Sequence, residues 1–270
     1  MNLNDYIDLL RGTGKADKTI ADYTKYVRRM MTWCADVGLD PATLPAHQVR
    51  TFADQSITAS WASRKQARTA LAHYWRACGR TDGPWEAVRV PRKPLSRYTG
   101  LTPADAALLR DAAALHGGRP GLATLCGLYT GARASEIAGM RHDHITAGTI
   151  RWWRTKTGGD WQVMPLHPTL AEHIGGGTGP LFRGNNGRET VSGATVWTWV
   201  RKVAETVGME VTPKQLRSTA GMMVLEATGD LDAAASFLGH RDVNVTRQFY
   251  TVATSARRMD AAVAALEYGT

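Results

Sequence analysis

The sequence predicts a mainly α-helical protein of two domains, of which the second also holds a small antiparallel β-sheet. A chain of 270 residues is longer than one ordinary domain, and its 43% of apolar residues can supply two cores. Apolar residues recur at intervals of three and four along most of the chain, as in helices that bury one face. In contrast, 149–154 and 161–165 are short runs with aromatic and β-branched residues on either side of a Gly-containing turn, which is typical of paired strands.

Residues 1–88 are predicted to be helical throughout and to form the first domain. A long helix over 18–37 is expected to begin at Asp17 or Thr19, either of which can cap it, and to end at Gly38. Its apolar positions have the spacing that one buried face requires: Ile20, Tyr23, Val27, Met30, Met31 and Cys34.

Two further helices are predicted in this domain. One covers 45–53 and has Pro45 in its first turn, where a missing N–H is tolerated. The other covers 61–78, with Ser60 as its N-cap and Gly79 at its end.

The segment 89–100 breaks the helical pattern and is predicted to be a basic linker. Its two prolines, Pro91 and Pro94, impose extended geometry, and its four cations contribute nothing to a core. A basic tether of this kind suits a protein that closes around a duplex, because the tether can lie along phosphates.

The second domain is predicted to cover 101–270 and to begin with Thr102 as N-cap and Pro103 in the first turn. Its helices are predicted over 104–115, 121–129, 134–138, 169–174, 193–207, 213–227, 231–238, 244–251 and 255–267. The segment 141–145 is expected to join the two strands as part of the small sheet, and Lys156 lies near the tip of their hairpin.

The positive charge of the chain is concentrated in its first third. The net charge is +9, and residues 1–95 carry +6 of it, from 15 Lys and Arg against 9 Asp and Glu. A basic helical domain of this kind favours DNA as a partner, although a solvated face that only confers solubility has the same composition. The candidate DNA-binding residues are Lys25, Arg28, Arg64, Lys65, Arg68, Arg76, Arg92 and Lys93.

Several other classes of protein are disfavoured by the sequence. The N-terminus has no secretion signal and no apolar run could span a bilayer, so a cytoplasmic protein without membrane partners is expected. Three scattered cysteines predict neither disulfides nor a zinc site. The glycine run at 175–179 lacks the Lys-Ser/Thr of a P-loop, and 141–144 offers no distant third metal ligand, so no cofactor and no metal are predicted.

Six residues of the second domain together suggest phosphoryl-transfer chemistry. Arginines hold phosphate oxygens through a planar fork of donors, and a tyrosine can attack phosphorus to form a covalent intermediate. Taken singly, each residue has an ordinary structural explanation, such as a surface cation, a turn residue, a helix cap or a core aromatic. The six candidates are Arg133, Lys156, Lys214, Arg217, His240 and Tyr250.

The order and spacing of these residues resemble the tyrosine recombinase, or phage integrase, family. The matching features are Thr-Gly-x-Arg-x-x-Glu at 130–136, the turn lysine 23 positions after Arg133, Lys-x-x-Arg at 214–217, Leu-Gly-His at 238–240 and a tyrosine ten positions later. The resemblance covers 101–270, and the basic helical 1–88 is similar to the family's core-binding, SAM-like domain. The chain resembles the simple type that lacks an arm-binding domain.

The resemblance implies a role for each residue. Arg133 and Arg217 would bind the non-bridging oxygens of the scissile phosphate, and Lys156 would protonate the leaving 5′ oxygen. Lys214 and His240 would donate hydrogen bonds to the phosphate, and Tyr250 would form a 3′-phosphotyrosine link. Glu136, one turn after Arg133, would be a structural support.

Two departures from the family pattern concern single positions. Position 214 is Lys where most relatives have His, and a lysine is a poorer proton shuttle at neutral pH. The spacing from His240 to Tyr250 is one residue longer than the commonest in the family.

The resemblance also implies partners and a choice of functions. The implied partners are double-stranded DNA with inverted half-sites and a directionality factor. The implied assembly is a homotetramer on two DNA sites, which the amphipathic segment 255–267 would help to form. Integration or excision of a mobile or phage element is the leading function, in a bacterial or phage-infected host cell. The alternatives are an Xer-like resolvase of chromosome or plasmid dimers, a type IB topoisomerase-like enzyme and an inactive DNA-binding relative.

Overall fold

The computed structural model describes residues 1–94, 100–146, 148–154, 159–185 and 187–240. Contacts divide the chain into two units, Met1–Leu95 and Ser96–Thr270. Both are mainly helical, and a three-stranded antiparallel sheet lies in the second, as the sequence predicts. Among the described helices, we find none with the length and apolar content to cross a bilayer.

The first unit is a helical bundle with an aromatic core. Trp75, Tyr6, Tyr74 and Phe52 are fully or almost fully buried, and Tyr6 and Tyr74 meet edge to face with ring centroids 5.4 Å apart. The buried Trp75 indole donates to Pro41 O at 2.8 Å, which satisfies its polar end. The helices are α1 (Leu3–Gly12), α2 (Asp17–Asp36), α3 (Ala46–Ser56) and α4 (Trp61–Ala77), followed by a 3-10 turn at Pro84–Ala87.

The starts of these helices differ from the predictions in two places. Helix α2 has Ala16 as its N-cap, without a side-chain cap, and Asp17 already lies in the first turn. Pro45 is the N-cap of α3, one position before the first turn. Helix α1 lies within the range that was predicted to be helical throughout, and Tyr6 and Leu10 are its buried residues.

The second unit is built around α6, which packs against α5, α9 and α10. Close approach depends on two glycines of α6. A Cβ on Gly121 would lie 2.2 Å from Ala113 O of α5, and a Cβ on Gly127 would lie 2.7 Å from Leu216 Cδ1 of α10. The helices are α5 (Pro103–His116), α6 (Gly118–Thr130), α7 (Ala134–Ala138), α8 (Pro168–Ile174), α9 (Gly193–Glu205), α10 (Pro213–Thr228) and α11 (Leu231–Leu238).

The sheet has the order β1 (Ile145–Thr146), β2 (Thr149–Arg154), β3 (Asp160–Pro165). The prediction of a strand over 141–145 was wrong for most of that segment, because His142–His144 is a 3-10 turn. The Arg141 guanidinium pairs with Asp143 across this turn and with Glu189, 48 positions later in the chain, and both pairs favour the bend. The helices predicted over 244–251 and 255–267 lie outside the described residues.

Candidate active site

The turn after α6 fixes Arg133 at the start of α7. Gly131 has φ +60°, and a Cβ there would lie 3.0 Å from Leu238 Cδ2, so the turn is tight as well as left-handed. Thr130 Oγ1 accepts from Ala132 N at 3.1 Å and donates to Cys126 O at 2.6 Å. Arg133 then adopts extended backbone angles as the N-cap of α7, as the sequence predicts.

A buried carboxylate holds Arg133 from one side. Glu136 is 3% exposed, and its two oxygens accept from Arg133 N at 2.9 Å and from Arg133 Nη1 at 2.7 Å. The backbone bond satisfies one of the donors at the N-terminus of α7, and the side-chain bond orients the guanidinium. Glu136 therefore supports Arg133 and does not face an open site.

Arg217 connects three segments of the second unit. Its Nη1 donates to Gly131 O at 2.7 Å and its Nη2 donates to Leu238 O at 2.6 Å. Leu216, the residue before it, is fully buried and packs against Gly127. The packing of α10 on α6 therefore fixes the position of the Arg217 backbone. Lys214 lies one turn earlier on the same helix and is exposed.

The loop after α11 places His240 beside both arginines. Gly239 ends α11 with φ +62°, and His240 N donates to Ala235 O at 2.9 Å. Burial, together with the positive charges of Arg217 and Arg133, lowers the pKa of His240 to about 4. The imidazole is therefore neutral at physiological pH, with two guanidinium charges close to it.

The structure brings together three of the six predicted catalytic residues: Arg133, Arg217 and His240. Lys214 shares helix α10 with Arg217, while Lys156 and Tyr250 lie outside the described residues. Both guanidinium groups are held by fixed acceptors before any ligand arrives. Cations oriented in advance in this way suit the binding of an anion whose charge grows during a reaction.

Sequence reasoning missed Arg154, which lies against the same loop. It is 8% exposed, and its Nη1 donates to Gly239 O at 2.7 Å. The signal was present in the alternation of β2, since Arg154 follows Ile150 and Trp152 on the buried face.

The predicted DNA-binding residues of the first unit occupy two environments. Four of them lie over aromatic rings: Lys65 and Lys93 over Trp61, Lys25 over Tyr26 and Arg76 over Trp85. Arg68 forms an ion pair with Glu86, and Arg28 and Arg92 are exposed. Arg64 differs from these, because its side chain is 8% exposed and donates to Asp54 Oδ1 at 2.9 Å. Arg64 thus joins α4 to α3.

Comparison with known proteins identifies relatives along almost the whole chain. A profile described as the phage integrase family matches residues 101–257. The tyrosine recombinase XerA of Thermococcus kodakarensis is 28% identical over 261 residues, which cover 92% of this chain and 88% of the relative.

Two solved structures share the fold. A lambda integrase dimer bound to a COC′ core site aligns with a TM-score of 0.68 at 20% identity, over 90% of this chain and 95% of that one. A lambda integrase tetramer bound to a Holliday junction aligns with a TM-score of 0.67 at 22% identity, over 89% of this chain and 76% of that one.

Proposed function

We propose that this chain, which belongs to the phage integrase family, cleaves and rejoins DNA through a covalent link between Tyr250 and the 3′ phosphate. The chain is a site-specific DNA recombinase of the tyrosine class. One observation carries the proposal for the site, namely the convergence of Arg133 and Arg217 beside a neutral His240.

The arginines would stabilise the transition state of phosphoryl transfer. Arg133 and Arg217 would each place donors on the non-bridging oxygens, and their protein partners already restrict both forks. His240 is neutral before DNA binds, so it can offer one N–H to the phosphate. An approaching phosphate would offset the arginine charges and raise the pKa of His240, which strengthens that donation.

The remaining two steps concern proton transfer and the nucleophile. Tyr250 Oη would release its proton to water and attack phosphorus, and the bond between phosphorus and the 5′ oxygen would break. Lys156 would deliver the proton that turns the leaving oxygen into a 5′ hydroxyl. Lys214 would add a further hydrogen bond to the phosphate. The phosphotyrosine link conserves the energy of the broken bond, so attack by a 5′ hydroxyl can rejoin the strand without ATP.

The first unit would bind the duplex through its exposed cations. Lys25, Arg28, Lys65, Arg92 and Lys93 are exposed, and lysines and arginines gain affinity for DNA by releasing counterions. Arg68 and Arg76 flank Trp85 and Glu86 on the same unit and extend this basic surface. Arg64 was part of the predicted set, and we propose instead that it stabilises the α3–α4 packing.

The assembly would be a homotetramer on two sites with inverted half-sites, like the lambda integrase tetramer found among the structural relatives. We infer integration or excision of a mobile or phage element, in the cytoplasm of a bacterial or phage-infected cell, with a directionality factor as a further partner. The near full-length similarity to XerA specifically favours a second candidate, an Xer-like resolution of chromosome or plasmid dimers. The segment 255–267, which would contribute to the tetramer, lies outside the described residues.

A nicked suicide DNA substrate tests the chemistry directly. The nick lets a short strand diffuse away after cleavage, so the covalent protein–DNA product accumulates and can be counted on a denaturing gel. We expect this product from the parent protein and none from Tyr250→Phe. Binding without any covalent product from the parent would contradict the proposal and indicate an inactive relative, whereas relaxation of supercoils without recombinants would indicate a topoisomerase-like enzyme.

A further inference from the structure

Arg154 is a buried cation at the end of β2. Alternate residues of this strand face the core, and Arg154 follows Ile150 and Trp152 on that face, with 10% of its side chain exposed. A guanidinium is removed from water only where fixed acceptors replace the solvent. Its partners therefore indicate what the residue holds in place.

The two ends of the Arg154 fork reach two different parts of the unit. Nη2 donates to Asp160 Oδ2 at 2.7 Å, and Nη1 donates to Gly239 O at 2.7 Å. Arg154 and Asp160 are Cα partners and form the last pair of the β2–β3 register, and the segment between them in the sequence contains Lys156. One side chain thus joins the base of the hairpin to the residue before His240.

The fit at Gly239 is close. A Cβ at this position would lie 2.0 Å from Arg154 Nη1, and the residue has φ +62°. A second hydrogen bond also joins the sheet to α11, from Gln162 Nε2 of β3 to Ser236 O at 3.3 Å. The sheet is therefore attached to the C-terminal turn of α11 at two points.

Two successive carbonyl groups at the end of α11 accept from two different arginines. Leu238 O accepts from Arg217 at 2.6 Å and Gly239 O accepts from Arg154 at 2.7 Å. The C-terminal end of a helix carries partial negative charge, so both guanidinium groups are favoured there. His240 follows directly, and its position is set by Arg217 from α10 and by Arg154 from the sheet.

We propose that Arg154 is a positioning residue that couples the β2–β3 hairpin to the His240 loop. Within the described residues its guanidinium donates to the Gly239 carbonyl on one side and to Asp160 on the other, and it would act through these two groups. Its effect would be to bring the proton donor of the hairpin and the phosphate-binding groups into one geometry. This inference rests on the proposed function, because it assigns Arg154 to the same strand-cleavage step.

The test compares two arginines of one strand. Arg154→Met removes the buried fork, and Arg151→Met is the matched control, since Arg151 lies on the opposite face with its guanidinium carbon 4.9 Å from the centre of the Trp161 ring. We would measure the single-turnover rate of covalent product formation at saturating protein, together with the Kd for the DNA substrate and the thermal unfolding of each variant. A displacement of about 1 Å in an active site can cost roughly 100-fold in rate.

We expect Arg154→Met to be slowed roughly 100-fold, with a Kd for DNA close to that of Arg151→Met. It should unfold at a lower temperature than Arg151→Met, because a buried carbonyl loses its donor, and remain folded at the assay temperature. Arg154→Lys keeps the charge and can reach one of the two acceptors, so it should recover part of the lost rate. Equal rates for the 154 and 151 variants would overturn the inference. So would a loss of rate that merely follows a loss of folded protein or of DNA binding.

A second variant, Asp160→Ala, removes the contact of Arg154 with β3 and leaves its contact with Gly239 O in place. The Asp160 side chain is 53% exposed, so Asp160→Ala should leave the fold intact while releasing one end of Arg154. A DNA substrate with sulfur in place of the leaving 5′ oxygen needs no proton donor, because a thiolate leaves readily. We expect Asp160→Ala to be slowed about tenfold on the oxygen substrate and little on the sulfur substrate, since general-acid catalysis typically supplies at least about 100-fold.

An equal defect of Asp160→Ala on both substrates would contradict the hairpin part of the inference. If Arg154→Met fails to fold, Asp160→Ala decides the question alone. The parent protein and Tyr250→Phe are measured on both substrates in the same series. Absence of covalent product from the parent would refute the proposed function itself, which keeps the two failures distinguishable.

Discussion

Removal of the Glu136 carboxylate should destabilise the second unit and displace Arg133. The side chain is 2% exposed and accepts two hydrogen bonds, at 2.9 Å from the backbone N–H of Arg133 and at 2.7 Å from its Nη1. Glu136→Ala would leave the backbone donor without its acceptor and the guanidinium without its counter-charge. Glu136→Gln would keep an acceptor for the backbone donor and lose only the charge.

The magnitude follows from the burial of the two partners. Loss of one member of a buried ion pair costs roughly 3–5 kcal/mol, and a hydrogen bond to a charged group contributes about 1.5–3 kcal/mol. Solvent can take over part of the loss, because the Arg133 side chain is 26% exposed. We therefore expect a decrease in the free energy of unfolding of about 3 kcal/mol for Glu136→Ala and roughly half of that for Glu136→Gln.

Urea unfolding measures these differences, and a surface ion pair supplies the control. Glu205 lies 3.4 Å from Arg201 and its side chain is 60% exposed, so Glu205→Ala should cost at most about 0.5 kcal/mol. For a unit of this size, each kcal/mol lowers the unfolding temperature by roughly 2–4 °C. A loss below about 1 kcal/mol for Glu136→Ala, or one equal to that of the Glu205 control, would refute the reasoning from burial.

Three further predictions concern the His240 loop and the basic first unit. Gly239→Ala should lower the free energy of unfolding by about 1–3 kcal/mol more than Gly229→Ala does. Both glycines have left-handed φ, but only at Gly239 would a Cβ lie 2.0 Å from a guanidinium nitrogen. The pKa of His240 lies near 4 in the folded chain and near 6.5 when unfolded, so the free energy of unfolding should decrease as pH drops from 6.5 to 4. The melting temperature of His240→Asn should therefore fall less between pH 7 and pH 4 than that of the parent protein. Lys65→Ala should lower the slope of log K against log salt for DNA binding by about 1, and Lys18→Ala, on a helix face where Lys18 pairs with an aspartate, should leave that slope unchanged in a filter-binding titration.

Local features of the fold were predictable because neighbouring residues produce them. Ser60 caps α4 through its own hydroxyl, which accepts from Ser63 N at 3.2 Å, and Thr102 caps α5 in the same manner. The position of Arg133 at a helix start likewise follows from the glycine turn before it. These signals lie within a few residues of the feature that they determine.

The features that sequence reasoning missed depend on partners distant in the chain or on pairings that propensity does not reveal. Arg154 is stabilised by a carbonyl 85 positions away, and the sequence gives no indication of that acceptor. The bend at His142–His144 depends on Arg141 and on Glu189, 48 positions later. In contrast, helix α1 lies in the segment that was predicted to be helical, and its start has a local signal, the capping box between Asn2 and Asp5. The roles of Lys156 and Tyr250 remain predictions.

The absence of a side chain at Gly127 has a consequence for how related sequences can diverge. Leu216 Cδ1 occupies the space that a methyl group at 127 would need, and the next residue is an arginine of the site. A lineage that gains Ala at 127 would have to shorten residue 216, rotate its side chain or shift α10 by part of an ångström. We therefore expect the volumes at these two core positions to covary among homologues, so that natural selection on DNA cleavage extends to residues that no substrate can contact.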